Sequence, residues 1–469
     1  MSDPSISVAL FDPTGATPAP EGLTDIWTRL APLLSHWSHF NHDETKIISQ
    51  QHGMIRDGCF MMPSPFSDTP DTCFRSYYHS HRFFYEFDSI EPYYWISSVL
   101  DRAYCLSALY FPHRQIAVTM YDYNIDASLI RQFAGFRAAI PSEPRPVMPS
   151  AGQRIVVAGW PHSMHMLWNE LPALDAIAQN GLQDKLQLAI THEPFGPTAE
   201  LFPRLAGSIR TLTYDDATAL NRHNRFLVGL GAWTITPAVQ QQVQRVALRN
   251  ASPALVQTRD SFRSLHEPIF WLSVKPPNRT CLDQSAVLAT LIASIRREYP
   301  RAGFLLNGVS LPWDYYNNPN YLPWFRASLQ RASTASRQSI RDVVEQLPFS
   351  LRDAIAPVTD ISLCDEIVWG DAADFYFCHG GTMQNKIGWV HRIPGMIHSN
   401  QKFLASFKGM PPPVLDGAPC FFLPPDATVD DAEANYTPDQ LARKDQNYRF
   451  TSLDKVAAAV LEAFAASRT

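Results

Sequence analysis

Two histidines, an asparagine and a glutamate stand at positions 162, 165, 169 and 170 within HSMHMLWNELPAL (162–174). On a helix, steps of three and four residues put His162, His165 and Asn169 on one face, with Glu170 beside them. A histidine so placed takes a proton from a hydroxyl near neutral pH, since its unperturbed pKa is about 6.5. The pattern suits a histidine general base on this polar face. The same residues equally suit a helix histidine hydrogen-bonded within a domain interface, and spacing leaves both readings open. His162 and His165 have no third partner at metal-ligand spacing, so no metal is expected.

Two further stretches suit an anion. In DFYFCHGGTMQNKIGW (374–389) the adjacent Gly380 and Gly381 join an apolar run to a helical one. Such a join lets backbone N–H groups approach a phosphate at a helix start, with Thr382 as cap or donor and His379 and Asn385 alongside. It matches neither the Walker sequence nor G-x-G-x-x-G, and glycines also serve many turns structurally. In WLSVKPPNRTCLDQ (271–284), Lys275 and Arg279 follow a strand-like run. Arginine binds a diphosphate bidentately and lysine as a point charge, although both also suit a solvated loop.

The elements that must position these groups are legible as apolar runs. RIVVAGW, KLQLAIT, IRTLTY and RFLVGL alternate with helical stretches from residue 154, and PIFWLSV, GFLLNGV, DFYFCHGG and IPGMIHS do so from 268. Short, continuously apolar strands between helices predict buried parallel sheets. The fold class is α/β, with two Rossmann-like domains facing across a cleft and an aromatic-rich N-terminal region. Residues 1–150 are expected to be irregular with some strands, their aromatics filling a small core. Residues 151–260 form the first Rossmann-like domain, 261–425 the second, and 426–469 a loop and helix. Pro172 should kink or divide the helix that carries the histidines.

Composition narrows the function. The chain has 469 residues, a net charge of −6 and only 18% charged residues. A nucleic-acid binder needs a clustered basic surface, which this balance does not supply. The seven cysteines (59, 73, 105, 281, 364, 378, 420) make no C-x-x-C pair and suit reduced thiols. With neither a secretory pattern nor an apolar run long enough for a membrane span, a cytoplasmic protein is expected.

Taken together, the three stretches resemble glycosyltransferase family 61. The family's H-x-x-x-D-x-L-P-R-L resembles His165 to Leu174, its H-G-A-G-L-T-N resembles His379 to Asn385, and its strand running into a basic loop resembles LSVKPPNRTCLDQ. Asn169 stands where the family has an acid, Ala173 where an arginine is common, and Thr382 displaces the second glycine. The resemblance implies a GT-B architecture and transfer of a sugar from a nucleotide-sugar donor to a hydroxyl of a glycan, protein or other acceptor. It further implies inversion, no metal or other cofactor, and a role in polysaccharide biosynthesis. Lys275, Arg279, His379, Gly380, Gly381, Thr382 and Asn385 would hold the donor, while His165 would take the acceptor's proton with Glu170 as the reserve base, His162 orienting the acceptor and Asn169 in an acceptor or supporting place. The alternatives are a non-catalytic glycan- or nucleotide-sugar-binding protein on the same scaffold, an epimerase or other group transferase, and, more remotely, a metallohydrolase.

Overall fold

The computed structural model describes residues 6–13, 17–99, 105–120, 125–140, 154–223, 226–275, 280–407, 414–415, 417–431 and 446–468. The chain divides into two compact units. The first comprises Met1–His192 and Thr198–Thr234, the second Glu193–Pro197 and Ile235–Thr469.

The first unit opens with β1 (Ser7–Leu10), β2 (Phe60–Met62), β3 (Asp71–His79), β4 (Arg82–Asp88), β5 (Tyr93–Ser97), β6 (Leu106–Phe111) and β7 (Ile116–Thr119). They form one sheet in the order β1-β7-β6-β5-β4-β3-β2, antiparallel except for the β1–β7 pair. The expectation of an irregular region is thus corrected: this is a regular sheet with helices at Trp27–Phe40, Glu44–Asp57 and Ala127–Ala139. Its order comes from cross-strand aromatic pairs. Phe87 stacks on Tyr93 with centroids 5.1 Å apart, Tyr94 lies over Tyr110, and Phe133 of the third helix stacks on Phe84 at 3.7 Å. The aromatics of this region fill the core, as expected from a stretch poor in aliphatic side chains.

The same unit holds a parallel sheet of β8 (Arg154–Ala158), β9 (Leu186–Ile190), β10 (Ile209–Thr211) and β11 (Leu227–Gly229), in the order β10-β9-β8-β11. Ser76 of β3 joins the two sheets, accepting from the Leu227 N–H at 2.6 Å and donating to the Leu227 carbonyl at 2.8 Å. The N-terminal sheet and the first Rossmann-like sheet therefore belong to one unit, and the expected division near residue 150 does not separate them. The proline-rich connector around 141–152 lies outside the described residues.

The second unit is built on β12 (Ile269–Ser273), β13 (Gly303–Asn307), β14 (Ile355–Val358), β15 (Phe375–His379), β16 (Gly395–His398) and β17 (Cys420–Phe422). All neighbours run parallel, in the order β14-β13-β12-β15-β16-β17. Counted within the unit this is 3-2-1-4-5-6, the Rossmann order, and the first parallel sheet is its 3-2-1-4 part. Alternation along β12 serves two cores. Phe270 and Leu272 pack with Ile292, Phe304 and Val460, while Ile269 and Trp271 pack with Leu305, Trp369 and Tyr376.

Two expected boundaries move. Helix Pro237–Asn250 and residues 253–260 of helix Pro253–Leu265, inside the expected first domain of 151–260, cluster with the second unit. The terminal helix Leu453–Ser467 is no appendage, because Phe464 sits 4.9 Å from Phe270 and 5.6 Å from Phe375 in the second core.

Two histidines of this unit make its stability depend on pH. Burial pushes His398 down to about 3, and His391, packed beneath Gly370, down to about 4 despite the nearby Asp371 carboxylate. Both folded values lie below the unfolded value of about 6.5, so the fold holds them neutral. Their contribution is complete above pH 6.5 and is lost as pH falls toward 4 and 3. At about 1.4 kcal/mol per unit for each ring, urea unfolding at pH 5 should show on the order of 4 kcal/mol less stability than at pH 7. An unchanged unfolding midpoint between those values would contradict this.

Candidate functional site

In open parallel sheets, ligands bind beyond the carboxyl ends of the strands, where the strand order reverses. In the first unit that point lies between β8 and β11, and in the second between β12 and β15. Among the described residues, those singled out by sequence lie near these two points.

Beyond β8 the chain turns at Gly159, whose φ is +107°. A Cβ there would lie 2.5 Å from the His192 nitrogen and 2.7 Å from that of Thr191, so only glycine fits. One helical turn, Ser163–His165, runs into a π-helix at Met166–Glu170 and then into the α-helix Leu171–Gln179. Pro172 accounts for the wide turn: it has no N–H for the Trp168 carbonyl and its ring would crowd that oxygen. Leu167, Leu171, Leu174 and Ala178 are buried, as the apolar stripe predicts.

His165 is half-buried, and its ring lies 4.8 Å from that of His162. Its Nδ1 is 3.4 Å from Asn169 Oδ1. Asn169 is 1% exposed, and its Nδ2 donates to the Ala232 carbonyl, just after β11, at 2.7 Å. With the amide nitrogen committed, Oδ1 is the atom turned to the histidine and must accept. This contact is a hydrogen bond in the tautomer with the proton on Nδ1, which leaves the lone pair on Nε2. Trp168 Nε1 donates to the Trp233 carbonyl at 2.6 Å, so the π-helix is tied to the β11 end at two points.

Glu170 does something else. Its carboxylate, 1% exposed, accepts from the Gly159 N–H at 2.6 Å and the Trp160 N–H at 3.2 Å. Its expected part is that of a reserve base; in the structure it satisfies the backbone donors of the strand-end turn.

In the second unit, Lys275 lies two residues beyond β12. Its N–H donates to Gln284 Oε1 at 2.9 Å, and its carbonyl accepts from Thr280 Oγ1 at 2.7 Å. These bonds fix the loop backbone at the start of helix Gln284–Glu298. Arg279 lies outside the described residues. Beyond β15, Gly381 has φ +107° and caps the turn Thr382–Gln384, which continues as a π-helix, Asn385–Trp389. Thr382 is exposed as the first helical residue, whereas Asn385 is buried at 8% exposure. Since β12 pairs with β15, the structure brings Lys275 and Gly380–Thr382 to adjacent strand ends. His379 does not join that surface: it is 1% exposed, its N–H donates to Ser273 Oγ, and its Nε2 lies 3.4 Å from Ser399 Oγ. It supports the glycine turn from beneath.

Sequence reasoning missed a buried ionic cluster at the same edge. Lys386 Nζ is 2.7 Å from both Glu366 Oε1 and the Gly308 carbonyl. Asn307 Nδ2 donates to that Glu366 oxygen at 2.5 Å and to the Val358 carbonyl at 3.0 Å. Twenty residues separate Glu366 from Lys386 in sequence, and no local spacing rule links them. Among the described residues no three His, Cys, Asp or Glu side chains gather as a metal centre, and no helix is long and apolar enough to cross a membrane.

No family model and no curated protein matches the chain. Solved structures similar to it include UDP-GlcNAc 2-epimerase from Methanocaldococcus jannaschii, at 11% identity and TM-score 0.26, over 58% of this chain and 66% of that one. Anabaena HepE in complex with UDP-glucose is similar at 13% identity and TM-score 0.20, over 58% and 65%. Sucrose-phosphate synthase from Thermosynechococcus elongatus is similar at 11% identity and TM-score 0.24, over 76% and 75%. The chain spans slightly less than two thirds of the first of these structures. The α/β fold rests on the strand orders given above.

Proposed function

We propose that the chain is a glycosyltransferase of the family 61 type, moving a sugar from a nucleotide-sugar donor to a hydroxyl acceptor with inversion and without a metal. One observation carries the reading: His165 and Asn169 follow β8 in the first parallel sheet, and Lys275 and Gly380–Thr382 follow β12 and β15 in the second, beside the point where each strand order reverses. The motif resemblance from His165 to Leu174 and from His379 to Asn385 supports it.

In this reading the donor diphosphate lies against Lys275, Arg279 and the N–H groups at Gly381 and Thr382. These groups stabilise charge as it develops on the leaving diphosphate. His165 Nε2 takes the acceptor proton as the hydroxyl attacks the anomeric carbon from the face opposite the leaving group. Asn169 orients the ring but brings no negative charge to the imidazolium, unlike the acid at that place in the family. The enzyme would act in the cytoplasm, on precursors of a surface polysaccharide.

A thermal-shift screen of nucleoside diphosphates and nucleotide sugars tests the donor site. A ligand at 100 times its Kd stabilises the fold by about 2.7 kcal/mol. The expected result is a shift with one nucleotide family, abolished in Lys275→Ala/Arg279→Ala. No shift with any nucleotide overturns the proposal. Asn169 in place of the acid favours one second reading, a non-catalytic binding protein, for which the shift would appear without transfer or hydrolysis of the donor.

A further inference from the structure

The segment LPWDYYNNPNYLPWF (311–325) begins four residues after β13 and rises from the carboxyl edge that also carries Lys275 and Gly380–Thr382. It has no strand or helix until Pro323, yet its backbone is fixed from within. Asp314, 7% exposed, accepts from the Glu193 N–H at 2.8 Å, from Asn318 Nδ2 at 2.6 Å and from the Tyr321 hydroxyl at 2.8 Å. Arg326 donates to the carbonyls of Tyr315, Asn318 and Tyr321 at 2.6, 2.6 and 3.0 Å. Its guanidinium also lies 5.0 Å from the centre of the Tyr315 ring and 5.7 Å from that of Tyr321.

Around this frame runs a row of rings in mutual contact. Tyr316 meets Tyr315 at 5.1 Å, Tyr315 meets Tyr321 at 5.7 Å, Tyr321 stacks on Phe325 at 5.7 Å, and Phe325 meets Trp324 at 5.7 Å. The middle of the row is covered: Tyr315 and Tyr321 are 1% and 2% exposed. Its two ends are open, with Tyr316 at 75% and Trp324 at 67%, and Trp313 nearby in sequence at 37%. Asp314 and Arg326 are the only charged residues from 311 to 326, and both are engaged inside the loop. The outward surface is therefore aromatic and uncharged, with the exposed Asn317 amide among the rings.

We propose that this aromatic row is a binding platform for a neutral, pyranose-containing glycan, and that it holds the acceptor chain. The proposal rests on the glycosyl-transfer reading for the word acceptor alone; the binding chemistry stands on the loop itself. A pyranose presents a face of C–H groups that packs on an open aromatic ring, and its hydroxyls pair with an amide that both donates and accepts. Rings held by a rigid frame lose little conformational freedom on binding, which favours a ligand offering few contacts. Between residues 311 and 326 the single cation, Arg326, is engaged by three carbonyls, which argues against nucleic acid or an anionic lipid. The open area of the three rings is roughly 350 Å², short of the approximately 800 Å² per partner of a standard protein interface. It is the size of a few sugar rings.

Affinity electrophoresis of the full chain through gels containing hydroxyethylcellulose, dextran or yeast mannan tests the platform, alongside Tyr316→Ala/Trp324→Ala. The expected result is retardation by at least one polysaccharide and a tenfold or greater loss of that affinity in the variant. The variant's melting temperature should equal that of the unchanged protein, because both rings are exposed. Absence of retardation in all three gels overturns the proposal, as does retardation that the double substitution leaves intact. Binding to phosphatidylcholine vesicles, or self-association removed by the same substitutions, without glycan retardation would also overturn it and assign the patch to a membrane or a second copy. Failure of the nucleotide screen with glycan retardation preserved would remove glycosyl transfer and leave the platform, so the two ideas fail separately.

Discussion

Replacing His165 with alanine is expected to lower turnover in sugar transfer by about 10²–10⁴-fold, the usual contribution of a positioned general base. The nucleotide-induced thermal shift should survive, because the proposed donor residues Lys275 and Gly380–Thr382 belong to the second unit and His165 to the first. The geometry behind the expectation is the contact of Nδ1 with Asn169 Oδ1. Asn169 is held by the Ala232 carbonyl, accepts from Nδ1 and leaves Nε2 as the acceptor atom. Asn169→Ala should therefore lower turnover with little change in donor KM, since it releases the ring without touching the donor. Glu170→Gln should act differently. It weakens the bonds to the Gly159 and Trp160 N–H groups and lowers thermal stability, because charge-assisted acceptors at backbone donors are the stronger kind. Steady-state kinetics with the donor found in the nucleotide screen would decide. Full turnover in His165→Ala would remove the residue from the chemistry.

The second large effect is on stability. Lys386→Met leaves the Glu366 carboxylate, fully buried, with Asn307 and no cation. Glu366→Leu leaves the Lys386 ammonium with the Gly308 carbonyl and no carboxylate in that cluster. Breaking a buried pair from one side typically costs about 3–5 kcal/mol, because the remaining charge is neither solvated nor paired. Each single variant should lose stability of that order. The double variant should lose clearly less than the sum, since it buries no unpaired charge. Urea unfolding of the four proteins reads the coupling directly. Two single variants each within 1 kcal/mol of the parent, with an additive double, would show that the pair is not the buried charge pair its geometry describes. The cluster spans the ends of β13 and β14 and the helices at Leu363–Gly370 and Asn385–Trp389.

The parallel strands were legible because strands covered on both faces read as unbroken apolar runs, and RIVVA, IFWLS and GFLLN announce themselves in that way. The approach of His165 to Asn169 was legible because four residues make one helical turn, and the turn at Gly381 because adjacent glycines mark a strand-to-helix join. The regular N-terminal sheet was not, since its strands carry aromatics with scattered polar residues on both faces and its order depends on pairs such as Phe87 with Tyr93. Nor was the turning back of Glu170 to Gly159, the meeting of Glu366 with Lys386, or the seating of Phe464 against Phe270. By itself the sequence determined the types of its elements and the residues at their ends, because periodicity and turn chemistry act over a few neighbouring residues. Which polar groups remain open to a ligand and which are consumed by the fold was decided only in the tertiary structure, where strand order and packing bring together donors, acceptors and charges far apart along the chain.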